Sequence, residues 1–135
     1  MRQIEKTKEF DIDLDLKSAL PIYEQIKNAV KLAIFKNQLV DGDKIISMRE
    51  LSTRYNVNQI TIMKAYKFLE IEGYLYSPKK WTGYYVRVDK EKLQKEKKDI
   101  FKKEVYGFLK KISDMGYKAE DLLAELNEYL NKKKS

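Results

Sequence analysis

Two groups of side chains in this 135-residue sequence have types and spacings that could do chemistry. The first is Asp11-Ile-Asp13-Leu-Asp15, three carboxylates in strict alternation. Such a run opens a calcium loop only when glycine stands at its sixth position and glutamate at its twelfth. Leu16 and Ile22 occupy those places, so no metal is expected there. The second group is a set of hydroxyl, amide and cationic side chains: Ser47, Arg49, Asn58, Gln59, Thr61, Lys64, Lys79 and Lys80, with Trp81 beside the last. Ammonium and guanidinium groups suit phosphate oxygens, amides suit the edges of bases, and an indole can pack on a sugar.

Absent residue types exclude a good deal. The sequence has no His and no Cys, which removes the thiolate nucleophile, the usual zinc ligand set, the imidazole base and the Ser-His-Asp triad. Its glycines, at 42, 73, 83, 107 and 116, nowhere take the spacing of a phosphate-cradling loop followed by Lys and Ser or Thr. No enzymatic activity and no cofactor are expected. Lys and Arg number 28 against 21 Asp and Glu, a formal net charge of +7. The excess is −1 over residues 1–19 (4 against 5), +5 over 20–88 (11 against 6) and +3 over 89–135 (13 against 10). Positive charge therefore gathers in the middle segment, where it would attract phosphate. Mean hydropathy is −0.63, and no stretch approaches the ~20 apolar residues a bilayer span needs. Met1 to Phe10 mix charges throughout, which predicts no signal peptide and a cytoplasmic protein without membrane contact.

The elements that must position these groups are legible as periodicities. Ile12, Leu14 and Leu16 alternate with the three aspartates, the period of a half-buried strand. Pro21 suits the first turn of a helix in which Ile22, Ile26, Ala29, Val30, Ala33 and Ile34 recur at three- and four-residue steps. Asp41-Gly-Asp43 is a turn, and Ser47-Met-Arg-Glu50 has the form of a capping box opening a helix from Met48 to Tyr55 that buries Leu51 and Tyr55. Asn56 is suited to a left-handed break and Asn58 to the next N-cap. From Gln59 a third helix carries Ile62, Ala65, Tyr66 and Leu69 inward and stops at Gly73. Two short helices across so tight a turn form a helix-turn-helix. Tyr74 to Ser77 and Tyr84 to Val88 then read as a hairpin around Pro78-Lys-Lys-Trp-Thr-Gly83. Of Tyr84 and Tyr85, one alone can face the core. The fold expected is mainly α with a small sheet: a winged helix-turn-helix domain over residues 10–88 after a tail of 1–9, the first strand completing the sheet.

Residues 89–135 shift to Lys and Glu and read as two amphipathic helices. One carries Leu93, Ile100, Phe101, Val105, Phe108, Leu109 and Ile112, the other Leu122, Leu123, Leu126, Tyr129 and Leu130, with Gly116-Tyr-Lys118 between. Some 45 residues are too few for a self-sufficient core. The apolar stripes need a second copy of the chain or the winged domain as cover, and dimerisation is the preferred role. An effector pocket between these helices is a third reading, for which the sequence indicates no converging polar groups.

Six segments in order resemble the GntR family of bacterial transcription regulators: Leu20-Pro-Ile-Tyr-Glu-Gln-Ile26, Leu39-Val-Asp-Gly-Asp-Lys44, Ser47-Met-Arg-Glu-Leu51, Val57-Asn-Gln-Ile-Thr-Ile62, Lys64-Ala-Tyr-Lys-Phe-Leu-Glu70 and Glu72-Gly-Tyr74. The short two-helix C-terminal part is similar to the YtrA-type subfamily. That resemblance implies a dimeric repressor that binds a double-stranded operator. It also implies DNA contact at Arg49, at Asn58 and Gln59 where the family usually has Ser or Thr and then Arg, at Thr61, and in the wing at Lys80 and Gly83. Trp81 stands where the family usually has Gly, and Ile46 where it has Pro. The residues leave a second function open, a protein-interaction module on a winged-helix scaffold. Arg49 could be a plain solvated residue, yet a cation in a first helical turn opposes the helix dipole, which argues for a contact.

Overall fold

The computed structural model describes residues 6–79 and 83–134. Its elements run α1 Ile22–Phe35, α2 Met48–Tyr55, α3 Gln59–Ile71, β1 Leu75–Tyr76, β2 Tyr85–Val86, α4 Lys90–Asp114 and α5 Ala119–Lys134. The chain divides into two compact units between Lys90 and Glu91. Every buried side chain among the described residues lies between Ile26 and Val86, hence in the first unit.

That core is the meeting of two helical stripes. α1 starts behind Pro21, whose carbonyl accepts from the Glu24 and Gln25 amides at 3.1 Å each. It buries Ile26, Val30, Ala33 and Ile34, and α3 buries Ile62, Ala65, Tyr66 and Leu69 against them. Ile22 and Ala29, expected inward, are half-buried at the edge of the stripe. An aromatic and ionic seam closes one side of the α1 and α3 contact. Tyr23 stacks on Phe68 with ring centroids 5.7 Å apart, Lys27 Nζ lies 4.9 Å from the Phe68 ring centre, and Glu72 pairs with Lys27 at 3.0 Å and with Lys31. Partial burial would raise the Glu72 carboxyl, but the hydrogen bonds and charges of Lys31 and Lys27 outweigh it and hold the group below the usual carboxylate range.

The turn between α2 and α3 is held from both sides. Ser47 caps α2 by accepting from the Glu50 amide at 3.0 Å. Asn56 ends that helix in the left-handed region at φ 53°, a conformation asparagine tolerates better than most residues. Val57 is buried, and the Ser52 hydroxyl donates to its carbonyl at 2.6 Å. Asn58 then caps α3, its Oδ1 accepting from the Ile60 amide at 2.8 Å. With both ends capped and the middle residue in the core, the crossing of α2 and α3 is fixed. Leu51 is buried as expected, whereas Tyr55 is half-buried because it closes the last turn of α2 at the rim.

Tyr66 joins α3 to the segment that leads into α2. Its ring is fully buried, meets Tyr84 edge-on at 5.5 Å, and its hydroxyl donates to the Ile46 carbonyl at 2.7 Å. Burial pushes the phenol pKa well above its ordinary value, so it stays a donor at all working pH. Tyr66→Phe leaves the Ile46 carbonyl without this partner and is expected to lower stability by about 1.5 kcal/mol. Urea unfolding should show that loss as a lower midpoint with an unchanged slope.

β1 and β2 pair antiparallel with Leu75 opposite Val86 and Tyr76 opposite Tyr85. On the other side of β2 the segment from Gly42 to Ile45 completes the small sheet: the Gly42 amide donates to the Val86 carbonyl at 2.8 Å, Val86 to Asp43 at 2.8 Å and Ile45 to Tyr84 at 3.0 Å. The expected first strand over residues 11–16 does not form. Side chains take over its backbone groups instead. Gln25 accepts from the Asp15 amide at 2.8 Å and donates to the Asp15 and Leu20 carbonyls, while Gln38 pairs with the Asp11 carboxylate at 3.1 Å. Asp15 accepts from the Lys17 amide at 3.0 Å and turns the chain, which leaves Leu16 exposed while Ile12 and Leu14 stay half-buried. Lys8, three residues earlier than expected, joins the N-terminal segment to the sheet segment, its amide bonding the Lys44 carbonyl at 2.8 Å.

In the second unit α4 and α5 are joined through Gly116 at φ 94°. The Asp121 carboxylate accepts from the Lys118 amide at 2.8 Å where α5 begins. Among the described residues of these helices none is buried. Leu93, Leu109, Ile112 and Leu122 are half-buried, and Ile100, Phe101, Val105, Phe108, Leu123, Leu126, Tyr129 and Leu130 are exposed. No helix among the described residues is long and apolar enough to cross a membrane.

Candidate nucleic-acid interface

The side chains with binding chemistry in the first unit fall into three places, and the local folding of each decides what remains available. In α2, Arg49 is exposed in the first turn, next to the Ser47 cap. Ser47 is exposed as well, but its hydroxyl oxygen is engaged by the Glu50 amide. In the last turn Arg54, also exposed, bonds Glu50 at 3.0 Å and lies 3.9 Å from Glu9.

In α3 the buried strip Ile62, Ala65, Tyr66 and Leu69 defines the inner face, and at 100° per residue the outer face is set by default. Ile60, Met63, Lys64 and Lys67 are exposed there, and Gln59 is exposed beside them where the helix opens. Lys64 Nζ rests 4.0 Å from the centre of the Tyr23 ring, a cation–π contact that positions the ammonium without neutralising it. Asn58 is exposed but its Oδ1 is spent on the cap. Thr61 is half-buried, its amide bonding the Asn58 carbonyl at 3.0 Å. The side chains of Gln59, Lys64 and Lys67 are thus presented outward, whereas Asn58 and Thr61 mainly build the helix start.

The third place is the wing. Lys79 is exposed, and the Ser77 hydroxyl bonds the Lys79 and Gly83 carbonyls at 3.2 and 3.0 Å. Gly83 has φ 97°, a conformation that favours glycine; a Cβ there would meet the Lys44 Cε at 3.1 Å, a contact the flexible end of that side chain can relieve. Lys80 and Trp81, named above as candidates, lie outside the described residues. Tyr84 and Tyr85 are both half-buried. Tyr84 packs on Tyr66, and Tyr85 on Tyr76 at 5.8 Å. The Tyr84 phenol is raised by burial first and then by the neighbouring Glu70 carboxylate.

A capped helix-turn-helix that presents cationic and amide side chains, followed by a β-hairpin, has the architecture of a winged helix-turn-helix domain. Residues 22–80 match the family model described as "Bacterial regulatory proteins, gntR family". A GntR family transcriptional regulator from Listeria monocytogenes is 32% identical, with a TM-score of 0.74 over 84% of this chain and 98% of that one. YtrA from Sulfolobus acidocaldarius, a GntR-family transcription factor, is 33% identical with a TM-score of 0.56 over 73% of this chain and 96% of that one. The HTH-type transcriptional repressor YtrA of Bacillus subtilis is 47% identical over 62 residues, 46% of this chain and 48% of that protein. The chain belongs to the GntR family and carries its DNA-binding domain together with a short helical C-terminal part similar to that of the YtrA-type members.

Proposed function

We propose that the protein is a homodimeric repressor, without catalytic activity, that works in the cytoplasm by occluding a promoter with two α3 helices set in successive major grooves. The exposed surface of α3 carries this reading: Gln59 in the first turn and Lys64 one turn on stand exposed at the end of the helix that enters the groove in this motif class. Arg49 and Lys64 grip phosphates, Lys79 and Lys80 do so from the wing, Trp81 beside them packs its indole on a sugar, and Ser47, Asn58, Thr61 and Gly83 shape the surface that presents them. The exposed apolar side chains of α4 and α5 need cover in water, and a second copy supplies it with a matching surface. The name repressor borne by the B. subtilis relative supports the sign of regulation. The mechanism requires neither cofactor nor effector.

A duplex recovered by selection from a random oligonucleotide pool provides the test. Binding should fall steeply with salt, and Arg49→Ala and Lys64→Ala should each weaken all duplexes alike and reduce the salt slope by about one. Affinity unchanged in the double variant would favour the protein-interaction module.

A further inference from the structure

Ile60 stands at the middle of the outer face of α3. The buried residues Ile62, Ala65, Tyr66 and Leu69 place the helix's inner direction, and Ile60 points almost opposite to it. It is 69% exposed in the first turn, and Met63, one turn further along the same face, is 43% exposed. A β-branched apolar side chain at the solvent apex gains nothing for the core, and polar residues normally fill such positions. Here it is flanked by Gln59, Lys64 and Lys67, all exposed and all able to bind nucleic acid. The Asn58 side chain caps the Ile60 amide at 2.8 Å, so the backbone carrying Ile60 is held rigid. Side chains on a rigid backbone are suited to specificity, because little ordering cost accompanies contact.

We infer that Ile60, extended by Met63, reads the C5-methyl group of a thymine in the major groove beside the base pair addressed by Gln59. This rests on the proposed placement of α3 in the groove and deepens it. The major groove displays one apolar group among its coded features, the thymine methyl, and it is read by apolar contact. The polar edges on either side are left to Gln59 and the phosphates to Lys64 and Lys67. Such a face rejects cytosine at that position, which offers an amino group and no methyl where Ile60 sits.

The test uses the full-length chain and its selected duplex, in which each thymine in turn is replaced by deoxyuridine, removing only the methyl. One substitution per half-site should weaken the wild type by about fourfold, the effect of exposing a methyl, ~0.8 kcal/mol at 1.4 kcal/mol per tenfold. That penalty should disappear in Ile60→Ser and persist in Ile60→Val. Position 60 is exposed, so both variants should fold, and matching circular dichroism melts verify it. A penalty of equal size in wild type and Ile60→Ser, or none at any thymine, would overturn the methyl contact while leaving DNA binding intact. Recovery of no motif from the pool would overturn the DNA-binding proposal and this contact with it.

Discussion

A chain ended after Val88 is expected to fold, to run as a monomer and to bind its operator at least ~100-fold more weakly than the full-length protein. Folding is retained because every buried side chain among the described residues lies between Ile26 and Val86. The sheet is complete by then too, the Val88 amide bonding the Asp41 carboxylate at 2.7 Å. Affinity is lost for a different reason. When two winged domains are tethered, the second half-site is engaged at a high effective concentration, and avidity gains of about 10² to 10⁴ follow without any new contact. The tether in the proposed dimer is the apolar surface of α4 and α5, whose exposed members include Phe101, Phe108 and Leu126. Phe108→Glu combined with Leu126→Glu should reproduce the loss in the intact chain by placing carboxylates in that surface. Sedimentation of the full-length protein as a monomer at micromolar concentration would remove the dimer. Persistence of a dimer after truncation would locate the interface in the winged unit.

Helix-turn-helix and wing were legible because their signals are local. Ser47, Asn56 and Asn58 act on amides within a few residues, and each takes the capping or left-handed role its type predicts. The four inward residues of α3 follow from spacing alone. The strand expected at residues 11–16 failed for a non-local reason. Alternation reports which side chains face a surface, and Ile12 and Leu14 do so. It does not report whether another strand lies within reach, and here Gln25 occupies the Asp15 amide and carbonyl and Gln38 the Asp11 amide, backbone groups that a ladder would have used. The true third partner of the sheet, Gly42 to Ile45, was masked by its turn residues.

The candidate site divides the same way. Arg49, Gln59 and Lys64 are exposed where the family resemblance or the helix position set them. The anchoring of Lys64 on Tyr23 could not be read, since it joins α3 to a residue 41 positions earlier across the α1 contact. Ile60 and Met63 were passed over because apolar residues in an amphipathic helix are assumed to face inward. The wheel that sends Ile62 and Tyr66 to the core already sends Ile60 away from it. Once burial is known, that placement turns an apparent core residue into a surface one. The exposed stripe of α4 and α5 shows the converse limit: spacing identifies an apolar face but not the molecule that covers it.

Replacing Gln59 by Arg is expected to change the preferred base pair at one operator position and leave the rest of the motif intact. Gln59 opens α3, exposed, directly after the Asn58 cap. Its amide offers one donor direction and one acceptor, which match N7 and N6 of adenine in the major groove. The guanidinium offers donors alone in a fixed fork, which match O6 and N7 of guanine. The wild-type half-site should therefore carry an A·T pair at that position, and Gln59→Arg should shift it towards G·C by about 1 to 3 kcal/mol. The cation lies in the first helical turn and opposes the dipole there, a cost of about 0.5 kcal/mol that leaves the fold intact. If Gln59 touched only phosphate or water, the added charge would raise affinity for every sequence equally. Selection from one random pool with both proteins separates the two: a switch confined to one position in each half-site is the expected result, and identical motifs of uniformly higher affinity would show that residue 59 reads no base.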